Sequence, residues 1–212
     1  MTWTATTRYG LDVAPDGFAL VHDFLSTAAA GRPRQQDLLA EPAPAIEWMR
    51  DALNTWAQQW SAPVLDEVDL DELTERDLTV LRRVRDGLID SLHARHFDTD
   101  ASTDGDGRGG LVDLQVSLEA GFEPDGTVHF RPKGRGGKLL LGPVALEIRR
   151  AQDAGAWPRL KSCKNERCRG VFYDRSRNNS GVWHDVHTCG NAANLRASRA
   201  RRRAAAESAR AR

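Results

Sequence analysis

Apolar residues at Ile46, Met49, Leu53, Trp56 and Trp60 recur at steps of three and four, which places all five on one face of a helix packed against a core. A second series at helical spacing, Leu81, Val84, Leu88 and Leu92, follows Thr74, with Asp77 three positions beyond that threonine. This pairing is the start signal of a capping box. Farther along the period changes to two: Val112, Leu114, Val116 and Leu118 alternate with polar residues, Pro124-Asp125-Gly126 makes a turn, and Val128 and Phe130 resume the alternation. The pattern predicts an antiparallel β-hairpin with one wet face. Pro143 suits a first helical position, and Val144, Ile148 and Ala151 continue a third amphipathic helix that Gly155 terminates. Phe18 to Phe24 is apolar enough for a short buried strand or the first turn of a helix, and period alone does not separate the two. Gly31, Pro33, Pro42 and Pro44 punctuate one loop, and the Asp-, Thr-, Ser- and Gly-rich stretch from Asp98 to Gly110 reads as another. The fold class is therefore α+β: a largely helical body with a small hairpin over residues 1–156, then a small module over 157–212, with Trp157-Pro158 as the hinge.

A chain of 212 residues holds one medium domain and an appendage. Hydrophobic residues at 40% and charged residues at 28% are ordinary for a soluble globular protein. The first residues have no basic stretch followed by an apolar run, and the apolar stretch from Leu139 to Leu146 is broken by Gly142 and Pro143. It falls short of the roughly 20 residues of a membrane span. These features predict a cytoplasmic protein without a membrane partner. The formal net charge of zero hides a division: from Arg159 onward there are fourteen Lys and Arg against four acids, leaving sixteen against twenty-six in the rest. A basic end on an acidic body predicts an anionic partner, nucleic acid first.

Several chemical motifs fail on their own terms. Gly134-Arg135-Gly136-Gly137-Lys138 lacks the leading glycine and the trailing hydroxyl of a phosphate-binding loop, with Pro132 and Leu139 in those places. Asp100, Asp104 and Gly105 suggest a calcium loop, but Leu111 stands where the closing carboxylate belongs. His93 and His96 are one helical turn apart and have no cysteine nearby. His22 and Asp23, as sequence neighbours, point in different directions on either a helix or a strand. No nucleophile motif appears, and the expectation is a protein that is not an enzyme.

The pattern that stands out is Cys163-x4-Cys168 followed, after fifteen residues, by His184-x4-Cys189. Two pairs of soft donors on short loops, joined by a spacer long enough to turn back, make a tetrahedral structural Zn²⁺ site. All three cysteines of the chain are used, and an odd number argues against a disulfide framework. Four protein donors close the coordination sphere and leave no position for a catalytic water. His187, three residues beyond His184, competes for the same corner.

Arg159-Leu-Lys-Ser-Cys163, the run Phe172-Tyr-Asp174-Arg-Ser-Arg-Asn178, Trp183 and Cys189-Gly190-Asn191 resemble the CGNR zinc finger. That family commonly has Trp-Cys where this chain has Trp183-His184, and the resemblance thereby implies His184 as the third ligand in chain order. Two departures stand out: Ala192 replaces the arginine that ends the family's name, and Gly181-Val182 replaces an arginine pair. The body is similar to the N-terminal ABATE domain that accompanies this finger, through Phe18 to Thr27, Asp37-Leu38-Leu39, Trp48 and Leu81-Arg82. Together these likenesses imply a stress-induced transcriptional regulator.

Gly190 and Asn191 mark the start of a helix running into an arginine-rich tail. Arg196, Arg199 and Arg203 share one face of it, Arg201 and Arg202 flank them, and Arg210 lies two turns further. Arg175 and Arg177, between the ligand pairs, are placed for further phosphate contacts. The expectation is a DNA-binding regulator whose body takes a small-molecule effector or forms a homodimer. An adaptor for RNA or protein, built on a rigid zinc platform, is the second reading. No side chain is assigned to a base edge, so affinity is argued and sequence selectivity is not.

Overall fold

A computed structural model describes residues 3–60, 73–95 and 114–210, apart from the side chains at 196, 197, 200 and 204–210. His96, the acidic loop with Asp100, Asp104 and Gly105, Leu111 and Val112 lie outside the described residues, as do the side chains of Arg196 and Arg210. The apolar stretch at Phe18 is a helix. A short α1 (Thr4–Thr7) precedes α2 (Phe18–Leu25), and every residue of α2 is buried, His22 and Asp23 included. A helix enclosed on all sides carries no polar stripe, which is why no helical period shows there.

Pro42 opens α3 (Pro42–Gln59), where its missing N–H costs nothing. Of the five residues expected on its core face, Met49, Leu53 and Trp56 are fully buried and Ile46 packs partly, joined by Trp48 and several alanines. Trp60, just past the helix end, stays 37% exposed, with the Arg150 guanidinium 4.2 Å above its ring. The capping box forms as expected at the start of α4 (Glu75–Ala94): Thr74 Oγ1 accepts from the Asp77 N–H at 3.2 Å and Asp77 Oδ2 accepts from the Thr74 N–H at 3.0 Å. Leu78, Leu81, Leu88 and Leu92 are buried along it.

The hairpin is β1 (Ser117–Phe122) paired antiparallel with β2 (Val128–Lys133), from Ser117 opposite Lys133 to Phe122 opposite Val128. Leu114 and Val116 precede the strand. The third helix begins earlier than its proline suggested. In α5 (Lys138–Asp153) Pro143 is an interior residue, not the first. Burial of Leu139, Leu140 and Leu141 drives the added turn, at the cost of the hydrogen bond that residue 143 would have donated to the Leu139 carbonyl. Gly155 ends α5 at φ +65°, with the Ala156 N–H on the Ala151 carbonyl at 2.8 Å and the Gly155 N–H on that of Gln152 at 3.1 Å. That pair of bonds is a Schellman motif, and the left-handed residue it needs favours glycine.

The buried α2 sits at the centre, in contact with α1, α3, α4 and α5. A buried guanidinium, Arg85, braces this core against the loop after α2, bonding Asp37 through two nitrogens at 2.7 and 2.8 Å and Thr27 Oγ1 at 3.2 Å. The C-terminal module follows as a single turn (Trp157–Arg159), β3 (Leu160–Ser162) paired with β4 (Val171–Tyr173), a wide turn (Val186–Gly190) and α6 (Asn191–Arg210). Leu160 and Val171 belong to the same buried cluster as α2, α3 and α5. The Phe18 ring lies 6.0 Å from Trp157 and meets Tyr173 edge-on at 6.1 Å. Among the described residues no helix is long and apolar enough to cross a membrane.

Candidate metal centre

The first pair of donors is set by the β3–β4 hairpin. Cys163 follows β3 directly, and its N–H donates to the Gly170 carbonyl at 2.8 Å, so the chain doubles back between the two cysteines. Within that bend the Cys168 N–H bonds the Asn165 carbonyl at 2.7 Å, and the Gly170 N–H donates to Cys168 Sγ at 3.3 Å. The second pair is set by Asp185, whose Oδ1 accepts from the N–H groups of His187 and Thr188 at 2.7 and 3.3 Å. Its carbonyl takes the Cys189 N–H at 3.0 Å, which turns Cys189 back toward His184. The Lys164 N–H on the Val182 carbonyl, 2.9 Å, ties the two halves together.

Cys163, Cys168, His184 and Cys189 thereby converge, with their donor atoms all within 4.8 Å of one another. The three cysteines are buried, none is in a disulfide, and Trp183 packs against them. His184 Nδ1 lies 3.3 Å from Cys168 Sγ, and Asn165 Nδ2 donates to Cys189 Sγ at 3.3 Å. His187 is exposed outside the cluster. Donors around one tetrahedral zinc stand about 3.5 to 3.8 Å apart, so this grouping needs only small adjustments to enclose an ion.

The protonation of the cluster points the same way. Its hydrogen bond to Cys168, with burial, pushes the Cys163 thiol far up, and the same bond together with His184 lowers Cys168 to about 4. Burial raises Cys189 as well. Sulfurs packed this closely cannot all carry charge unaided, and a divalent cation among them removes that conflict. Three soft sulfurs and one imidazole, with N–H donors on two of the sulfurs, are the donor chemistry of a structural zinc site. Bound there, the ion supplies folding energy.

Around the centre, Asp174 is a hub that sequence reasoning quoted but gave no role. Its carboxylate accepts from Lys161 Nζ at 2.7 Å and from the N–H groups of Ser176 and Gly181 at 2.9 and 2.7 Å. Opposing its burial, these donors hold the carboxyl well below the usual range. A Cβ at Gly181 would lie 2.9 Å from that carboxyl, so the departure to glycine here matches a close approach of backbone to side chain. Asn165 and Asp185 were also missed. Asp185 carries a readable signal, since an aspartate just before a short polar turn is a cap.

The arginines divide. The Arg175 guanidinium donates to the Val13 carbonyl at 2.6 Å and lies 5.6 Å from the Tyr173 ring centre, so it is engaged with the body. Arg177 is exposed, as are Arg199, Arg201, Arg202 and Arg203 on α6, while Arg196 is placed on α6 by its backbone. His93 lies 3.5 Å through Nδ1 from Ser162 Oγ, next to Cys163 in the chain but outside the four-donor group. His22 and Asp23 do not bond each other: His22 meets Ala14 and Val171, and Asp23 accepts from the Thr6 N–H and Trp48 Nε1, each at 2.7 Å.

No curated protein matches the chain. Residues 159–202, which hold all four donors and the first half of α6, match the family model of the CGNR zinc finger.

Proposed function

We propose that the protein is a DNA-binding transcriptional regulator, in which a structural zinc ion shapes the C-terminal module and α6 presents arginines to the phosphate backbone. The observation that carries this reading is the row of exposed guanidinium groups at Arg199, Arg201, Arg202 and Arg203, on a helix that starts directly after the ligand Cys189. Each phosphate neutralised by such a group releases condensed counterions, so binding is strong at low salt and weakens as salt rises. Zinc enclosed by four protein donors keeps no open position, and its role in this reading is architectural, without catalysis. The acidic body, with its ABATE-like residues, is the regulatory part and takes a small-molecule effector or a second copy of the chain.

The test uses the full-length, zinc-loaded chain and a labelled mixed-sequence duplex, with affinity followed across salt. Affinity that falls linearly in log–log form, and drops when Arg199, Arg201, Arg202 and Arg203 are replaced by Ala, supports the proposal. No binding at low salt overturns it. Preference for single-stranded RNA over duplex moves the function to the adaptor reading.

A further inference from the structure

Beside the metal centre lies an open groove of about 620 Å³ lined by Arg32, Pro33, Arg34, Arg167, Thr188 and Ala192. Its two walls come from distant parts of the chain. One is the loop after α2 in the body; the other is the bend between Cys163 and Cys168 together with the start of α6. The walls are joined where the Gly31 N–H donates to the carbonyl of the ligand Cys168 at 3.3 Å. Behind the loop, Tyr9 Oη donates to the Ala28 carbonyl at 2.6 Å and accepts from the Ala30 N–H at 3.3 Å, and Arg8 bonds the Ser26 and Ala28 carbonyls at 2.7 and 3.0 Å. The loop is thus held in place before any ligand arrives.

Arg32, Arg34 and Arg167 are all exposed, and among the described residues no hydrogen bond or ion pair engages their guanidinium groups. The groove has no acidic lining residue. The acids lie on the other side of Arg34, in a separate cavity of about 220 Å³ containing Asp37, Asp86, Asp90 and Glu166. There Asp37 and Asp90 are taken up by Arg85 and Arg169. Three unpaired cations around one concavity repel each other, and an anion relieves that repulsion. Ala192, the second residue of α6, also lines the groove and adds no charge to it.

From Ala192 to Arg201 is nine residues, about 14 Å along the helix axis. The groove and the exposed arginines of α6 therefore stand within reach of one stretch of duplex, which carries one negative charge per roughly 1.7 Å of its axis. We infer that this groove docks the sugar-phosphate backbone of duplex DNA, so that the body supplies Arg32 and Arg34 to an interface the finger completes with Arg167 and α6. The inference rests on the DNA-binding reading above and adds to it that the finger alone is an incomplete binding unit.

The experiment compares full-length, zinc-loaded wild type, the triple variant R32A/R34A/R167A, its lysine counterpart R32K/R34K/R167K, and the α6 alanine variant, on one mixed-sequence duplex across salt. Zinc content and melting temperature verify that each variant is folded. The triple alanine variant should bind roughly tenfold or more weakly at fixed salt and lose about 2 to 3 from the slope of log affinity against log salt, while the lysine variant keeps the slope. Wild-type affinity and slope in the triple alanine variant, alongside loss in the α6 variant, would overturn the groove and leave the regulator reading standing. Absence of duplex binding by the wild type would overturn both.

Discussion

His184 and His187 stand three residues apart and share a chemistry, yet only one ring enters the cluster of sulfurs. The Asp185 cap decides this, because its carboxylate takes the His187 N–H and sends that side chain outward. His184→Ala should therefore lower zinc retention against a competing chelator, whereas His187→Ala should keep about one zinc per chain, measured by metal analysis of the purified proteins. Equal retention in both variants would contradict the assignment. The three cysteines and a nearby histidine were legible in the chain because metal binding restricts both residue type and spacing, while the choice of His184 over His187 came from the resemblance to the zinc finger family. Asp174 was not, since its partners are Lys161 and two backbone N–H groups, and nothing in their identities marks them before the hairpin folds. The groove arginines were equally hidden: Arg32 and Arg34 are 133 or more positions from Arg167, and only the docking of one loop on one bend brings them together.

At the scale of elements, one side chain links α2 to β4. The Ala14 N–H donates to His22 Nδ1 at 3.2 Å, which requires that nitrogen to be unprotonated, and His22 Nε2 meets the Val171 carbonyl at 3.3 Å. Burial, opposed in part by that bond to Val171, lowers the imidazole from 6.5 to about 4. Between those values the unfolded chain binds a proton that the folded chain refuses, so stability rises with pH across the window and is lost as pH falls from 6.5 toward 4. The contribution is on the order of 3 kcal/mol when fully lost. Denaturant melts of wild type and His22→Gln at pH 7 and pH 5 should show a smaller pH difference in the variant. The comparison cancels acid effects common to both proteins, such as protonation of the cysteines, and an equal difference would rule the linkage out. The amphipathic helices α3 and α4 were readable because half of each surface is wet. The buried α2 offered no contrast, and in α5 the proline masked a start that only the packing of Leu139 to Leu141 explains.

At the scale of the whole molecule, the metal centre and the body core are joined by packing. Leu160 and Val171, on the hairpin that carries Cys163 and Cys168, are 0% and 3% exposed within the cluster formed by α2, α3 and α5. Structural zinc contributes about 10 to 16 kcal/mol to folding of small finger peptides, comparable to the roughly 5 to 15 kcal/mol that stabilises an entire domain. Loss of the ion should release β3 and β4, strip His22 of its Val171 partner and open the apolar surface around Phe18 to water. Chelation is therefore expected to lower the melting temperature of the whole chain, not of a minor transition alone, and to increase binding of a hydrophobic dye. Stoichiometric zinc should restore both readings. Were the finger an independent appendage, metal-free protein would retain the main transition unchanged, and only a small zinc-dependent step would disappear. The shared core argues for the first outcome, because the residues that would be uncovered when the finger opens are the ones the body needs covered.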